Sequence, residues 1–569
     1  MRSLAHSRRP RPRPRSRLRR AGLGLAASLA LACQGATPDS SPTPSRERPT
    51  VTTTRGALRG TVDGSAEVFR GIPYAAAPVG ERRFAPPAPV PAWEGVREAV
   101  EFGPRCPQLA SFGGGVIGDE DCLTLDVWRP AEPPELGADP RPVLVFFHGG
   151  GNVLGSTSDP LRNGRRLARE QDVIVVAVNY RLGVLGFLAH PRLTAAHGTS
   201  GNWAYLDMIA ALDWVAENVA AFGGDPKRVT IAGDSAGGLG VCVLMASPLA
   251  AGKFSAAVVE SGGCDVASLA VRERQGEGLV LRSGCGPAED PFACFRALPA
   301  ARMVKFGPQL PGTDPSWELL VGGAVDGHVL PHEPWDAFAA GTHAVVPTLV
   351  GSNADETALL IPRELPSCDA YASVARDLFG AQADAVLAEY PCAAYSSPRV
   401  AYLAATTDVL FTCQARRLLR ALAPAADAAG VPLFRYYYRY TRADPAVSEL
   451  LAFHGSELQL LFGTHTRLGY AVPEGERALA RAMRASWAGM ARAGTPVHAG
   501  TPGWEPWTAA RDNAVVFADP LATGEGLGTD HCGFWDAQPR PSPVWAKAID
   551  HPPRSSPEGQ ATPVPPSPQ

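Results

Sequence analysis

Residues 229–246, VTIAGDSAGGLGVCVLMA, narrow the choice of fold more than any other stretch of the chain. A strand-like run passes without a loop into Asp234-Ser235-Ala236, and a run of helix character begins at Ala236. Gly233 and Gly237 stand two residues either side of Ser235, which is the pattern G-x-S-x-G. A strand that turns into a helix within two residues must turn sharply, and bulky neighbours would collide in that turn. The competing reading, a glycine-softened loop, predicts no strand before the serine and no helix after it.

The flanking sequence supplies both. VLVFFH (143–148) and VIVVAVNY (173–180) are continuous apolar runs of strand length. Neither alternates, as expected of strands covered on both faces of a mostly parallel sheet. Leu206, Ile209, Leu212, Val215 and Val219 recur at steps of three and four, which predicts a helix over 203–221 with one apolar face. GGDP (223–226) ends that helix before RVTIAG begins a further strand. Strands alternating with helices predict an α/β fold.

A serine hydroxyl is a weak nucleophile at neutral pH and requires a base beside it. The helix after Ser235 would aim N–H groups and the positive end of its dipole at the turn. The N–H of Ala236 is therefore a candidate donor to an oxyanion. HGGG (148–151) directly follows a strand-like run, and its glycines let bare backbone N–H groups approach a substrate oxygen.

The ends differ from the middle. Residues 1–20 carry nine arginines and no acid; an apolar run, AGLGLAASLALA, follows and ends at Cys33. A basic segment, about a dozen apolar residues and small residues before the boundary read as an export signal, too short to span a bilayer comfortably. ALAC resembles the lipobox of a bacterial lipoprotein, in which Cys33 would be acylated; Ala30-Leu31-Ala32 also satisfies ordinary A-x-A cleavage. Gln34 after the cysteine would favour the outer membrane of a Gram-negative cell, the alternatives being secretion or a periplasmic location. Residues 34–50 read as a polar linker, 51–536 as the folded body and 537–569 as a Pro/Ser-rich tail. Without residues 1–33 the chain holds 44 basic and 56 acidic side chains, a balance of −12 that disfavours nucleic acid as a partner. Eleven cysteines fit an oxidising compartment. Cys285/Cys294, Cys106/Cys122, Cys368/Cys392 and Cys413/Cys532 are candidate pairs, and spacing alone leaves the connectivity open. No CxxC or clustered His–Cys spacing suggests a metal.

Longer stretches carry a family likeness. FRGIPYAAAPVGERRFAPP (69–87), EDCL (120–123), NYRLGVLGF (179–187), GNWAYLDMIAALDWVAENVAAFGGDPKRVTIAGDSAGG (201–238), DGHVLP (326–331) and VGSNADE (350–356) resemble the type-B carboxylesterases, the cholinesterase/carboxylesterase branch of the α/β-hydrolase fold. The likeness covers about 51–536 and implies a mostly parallel central sheet flanked by helices, with helical insertions. It also implies a Ser–acid–His order along the chain. Glu356 falls at the family's acid, with Asp355 the runner-up; Thr357 stands where the family often has Gly. His454, in FHGSELQLLFG after the strand-like LFRYYYRY, falls at the family's base, whereas His148 reads as structural and Glu457 as structural or pocket-lining.

The resemblance thus implies a Ser235–Glu356–His454 triad, an oxyanion hole from Gly150, Gly151 and Ala236, small ester substrates, and no cofactor or metal. Its disulfides map onto Cys106–Cys122, Cys285–Cys294 and Cys413–Cys532. Cys368–Cys392 has no such warrant, and Cys242 and Cys264 are left over as buried thiols. A lipase for longer acyl chains and a non-catalytic adhesion module are the rivals. The three triad residues speak against the second, and the short Gly-rich loop between Cys106 and Cys122, whose one aromatic is Phe112, speaks against a lipase lid and a choline site.

Overall fold

The computed structural model describes residues 47–110, 115–132, 139–306, 322–466, 470–501 and 503–538. The basic leader with Cys33, most of the polar linker, Phe112 and the C-terminal tail from 539 lie outside the described residues. From Arg48 onward the chain belongs to one unit.

In chain order the main sheet comprises β1 (Thr61–Asp63), β2 (Ala66–Pro73), β3 (Thr124–Pro130), β4 (Arg141–Phe147), β5 (Ile174–Val178), β6 (Gly224–Asp234), β7 (Ala256–Glu260), β8 (Thr348–Asn353), β9 (Leu433–Tyr438), β10 (Asn513–Phe517) and β11 (Ala522–Glu525). Across the sheet they lie in the order β11-β10-β9-β8-β7-β6-β4-β5-β3-β2-β1. Pairing is parallel from β5 to β10 and antiparallel towards both edges. The non-alternating apolar runs are explained by two cores. Val143, Val145 and Phe147 of β4 face one, and Leu144 and Phe146 face the other. Successive side chains of a strand point to opposite faces, so a strand covered twice has no polar side.

Two helices matter most for the site: α1 (Trp203–Asn218) and α2 (Ala236–Ala246). Helix α1 is buried well beyond the single face that the apolar periodicity predicts, for Trp203, Tyr205, Met208 and Trp214 are buried as well. It is wedged inside the first core, and Arg181 and Asp207, 3 % and 0 % exposed, pin it to the chain leaving β5 through bonds of 2.7 and 2.8 Å. A 3-10 turn extends α1 to Phe222, and Gly223, at φ +82°, ends it before β6.

Between β8 and β9 the chain makes a helical excursion with a core of its own, in which Tyr371, Phe379, Tyr390 and Tyr402 pack with Trp535 from the C-terminal segment. Helices α3 (Cys368–Phe379), α4 (Pro398–Thr407) and α5 (Cys413–Ala429) belong to it, and α5 returns to the first core through Leu418, Leu419 and Leu422. The last long helix, α6 (Glu474–Ala493), closes the second core with Met483 and Trp487.

Among the described residues five disulfides are present: Cys106–Cys122, Cys242–Cys264, Cys285–Cys294, Cys368–Cys392 and Cys413–Cys532. The second corrects the expectation of leftover thiols. Cys242 lies on α2 and Cys264 on the loop after β7, and the parallel pairing of β6 with β7 brings those segments side by side. Among the described residues, no helix is long and apolar enough to cross a membrane and no cluster of His, Cys, Asp and Glu could hold a metal.

Candidate active site

The sheet order determines which strand ends carry the candidate residues. From β4 the chain goes to β5 on one side and then to β6 on the other, so the winding reverses between β4 and β6. A crevice opens outside the carboxyl ends of strands at such a reversal. HGGG leaves the end of β4 there, and Ser235 follows the end of β6. Glu356 follows β8, and His454 lies in the loop beyond β9.

Ser235 adopts φ +57°, ψ −119°, a conformation that a side-chain-bearing residue takes only when its surroundings enforce it. Its N–H donates to Glu260 O at 2.7 Å, and its carbonyl accepts from Leu239 N–H at 2.9 Å, so strand and helix are both tied to the turn. The flanking glycines are required by space. A Cβ on Gly237 would stand 2.0 Å from Phe147 O, and one on Gly233 would stand 2.5 Å from the Gly237 backbone.

Gly150 lies at φ +121°, a region closed to other residues, and a Cβ there would also strike Leu154 O. The N–H groups of Gly150, Gly151 and Ala236 donate to no other described residue. His148, at the start of this loop, is buried and stacked on Tyr180 with ring centroids 4.5 Å apart. Burial pushes its pKa down to about 4, which keeps the ring neutral, and Nδ1 lies 2.9 Å from Gly149 O.

His454 Nδ1 lies 2.6 Å from Glu356 Oε2. The other carboxylate oxygen, Oε1, accepts from Asn353 N–H at 2.7 Å and from Ser261 Oγ–H at 2.5 Å. Glu356 is fully buried, whereas 17 % of the His454 side chain remains accessible. Burial opposes charging of the imidazole. The Glu356 carboxylate, joined by Glu457 and Asp234, outweighs that and raises the His454 pKa above the ordinary histidine value. The Phe411 ring packs against the imidazole at 4.7 Å between centroids.

Asp355, the runner-up acid, points elsewhere. Its Oδ2 accepts from Ala452 N–H at 3.2 Å, which supports the loop that carries His454. Thr357 is buried, and its hydroxyl lies 2.6 Å from the Thr406 hydroxyl, anchoring the acid's turn to α4. Glu457 is buried behind the pair and hydrogen-bonded by Asn353; burial and the Glu356 charge push its pKa up to about 7. Ser261 and Asp234 are polar partners of this site whose roles no sequence motif announces. The only sequence signal for Ser261 is its place after the strand-like AAVVE, next to two glycines.

A serine on a strand-to-helix turn, donors at the end of the adjacent strand, and a buried carboxylate holding a histidine define the class: an α/β-hydrolase. The carboxylesterase family model matches residues 47–535. The chain is 35 % identical over 490 residues to the fumonisin B1 esterase of Sphingopyxis macrogoltabida, covering 84 % of this chain and 87 % of that one. It is 32 % identical over 462 residues to the para-nitrobenzyl esterase of Bacillus subtilis (strain 168), covering 78 % and 90 %. A solved PNB esterase structure superimposes with a TM-score of 0.71 at 31 % identity, covering 84 % of this chain and 97 % of that one. The chain belongs to the carboxylesterase family, and it is a carboxylic ester hydrolase acting on small-molecule esters.

Proposed function

We propose that Ser235, His454 and Glu356 act as one unit that hydrolyses carboxylic esters through an acyl-enzyme. The observation that carries this reading is the 2.6 Å bond from His454 to a fully buried carboxylate, on the same carboxyl-end side of the sheet as a strained serine. In the first half-reaction His454 takes the Ser235 proton while Oγ attacks the ester carbonyl carbon. The carbonyl oxygen becomes an oxyanion and accepts from the N–H groups of Gly150, Gly151 and Ala236. Glu356 holds the imidazole tautomer and stabilises the imidazolium. The C–O bond breaks, and the alcohol leaves with the proton from His454. Water then attacks the acyl-enzyme by the same route, releasing the acid and restoring Ser235. No step calls for a metal or an organic cofactor.

Replacing Ser235 or His454 by Ala should each lower turnover by several orders of magnitude, and the double variant should be little worse than either. A fluorophosphonate should label the wild-type Ser235 peptide and leave that peptide unlabelled in Ser235→Ala. Near-normal hydrolysis by purified Ser235→Ala would overturn the assignment.

We also infer export with lipidation at Cys33, which would tether the enzyme to a bacterial cell envelope. The basic–apolar–ALAC order supports this, and the five disulfides suit an oxidising compartment. Mass spectrometry of the mature N-terminus decides it: a diacylglyceryl Cys33 is expected, and an unmodified terminus beyond Cys33 refutes it.

A further inference from the structure

Asp234 stands immediately before the candidate nucleophile, and its carboxylate is fully engaged. Oδ1 accepts from Gly149 N–H at 2.9 Å and from Arg162 Nε–H at 3.2 Å, and Oδ2 accepts from Arg162 Nη2–H at 2.8 Å. Arg162 is held from its far side by Asp159, with Nη1 2.6 Å from Oδ2. The ion pair is secluded: the Arg162 side chain is 13 % exposed and that of Asp234 5 %. Burial opposes the Asp234 charge, yet Arg162 and the Gly149 N–H hold its pKa below the usual carboxylate range.

Gly149 is pressed onto this turn. A Cβ there would stand 2.4 Å from Asp234 Oδ2 and 2.9 Å from Ser235 Cβ. The Gly149 N–H is thus the point at which the HGGG loop is fastened to the serine turn, one residue before the free donors of Gly150 and Gly151. On the side of β5 the loop is held by Tyr180, whose hydroxyl donates to His148 O at 2.5 Å.

We propose that Asp234 and Arg162 form a positioning clamp that sets the spacing between the oxyanion donors and Ser235 Oγ. Asp234 is a positioning residue and not a base, because both oxygens are occupied by donors. The clamp acts when the carbonyl oxygen moves towards the donors as it gains charge. It therefore stabilises the tetrahedral state more than the bound ester. The inference rests on the Ser235 reading given above.

The test is kinetic. Asp234→Asn keeps an oxygen that can accept from Gly149 N–H but loses the charge that fixes Arg162. It should lower kcat at least about tenfold, short of the roughly 10²–10³-fold loss that removing an oxyanion donor outright brings, with KM within about twofold. Affinity for a trifluoromethyl ketone, which adds to the serine as a tetrahedral hemiketal, should fall in step with kcat/KM. Affinity for the product alcohol should not change. Arg162→Lys keeps the charge without the two-pronged guanidinium and should give a smaller loss. Arg162→Met/Asp234→Asn should be no worse than Asp234→Asn alone if the two act as one unit. Thermal melting of each variant identifies any that fails to fold, and Arg162→Lys, which leaves no buried charge unpaired, then carries the test.

Unchanged kcat and ketone affinity in folded Asp234→Asn, or in Arg162→Lys where it carries the test, would overturn the clamp. So would a loss confined to KM. Ser235→Ala serves as the control: if it stays active and no variant forms the ketone adduct, the reading of the nucleophile is what has failed. If Ser235→Ala is inactive and Asp234→Asn is fully active, only the clamp has failed.

Discussion

On the proposed mechanism His454 must be neutral to accept a proton, so its pKa would set the lowest pH at which the enzyme works. Burial alone would make the ring harder to charge, and the carboxylates of Glu356, Glu457 and Asp234 reverse that. Glu356→Gln removes the largest favourable influence. The His454 pKa should therefore fall, and the acid limb of kcat/KM against pH should move to lower pH while the plateau drops. A limb that stays in place or moves upward would show that Glu356 does not govern the base. The sequence made this pair visible because VGSNADE and FHGSE are contiguous motifs. It hid Ser261 and Asp234, whose roles depend on what the neighbouring strands bring to them: Glu356 Oε1 for one, Gly149 N–H and Arg162 for the other.

At the scale of elements, the passage from β6 into α2 is held by close approach. Gly237→Ala forces a methyl into Phe147 O and should destabilise the fold by about 1–3 kcal/mol in urea unfolding, as overpacking does. The same substitution should lower activity, because the turn cannot relax without moving Ser235. A normal unfolding midpoint would contradict the crowding. The Arg181–Asp207 pair is the second element-level support. Asp207→Ala leaves a guanidinium buried without its partner and should cost about 3–5 kcal/mol, measured in the same way. The central strands were legible because a strand covered on both faces reads as an unbroken apolar run. The edge strands were not: β1 is half-buried and β11 largely exposed, so neither has an apolar signature.

For the whole molecule, the decisive covalent link is Cys413–Cys532, which spans 119 residues and ties the C-terminal segment to α5. Constraining a loop of that length in the unfolded chain is worth about 4–5 kcal/mol in the chain-entropy model. Replacing both cysteines by Ser should therefore lower unfolding free energy by up to that amount, and an unchanged denaturation midpoint would show the bridge to be idle. Cys242–Cys264 illustrates how far spacing can be read. The two residues are 22 apart in sequence and meet only because β6 and β7 are neighbours, which no count of intervening residues reveals.

The excursion between Glu356 and β9 has its own aromatic core and an internal crosslink, Cys368–Cys392, and it meets the site through contacts that include Phe411 against His454 and Thr406 against Thr357. With a core of its own, its part from 361 to 410 is where a change of sequence would disturb the sheet least. Lengthening, shortening or resurfacing that part would leave in place the sheet, which on the proposed mechanism keeps Glu356 and His454 in register. Grafting residues 361–410 from a relative is therefore the exchange expected to leave a folded, active enzyme, and an ester profile compared before and after the graft measures what that part contributes to selectivity.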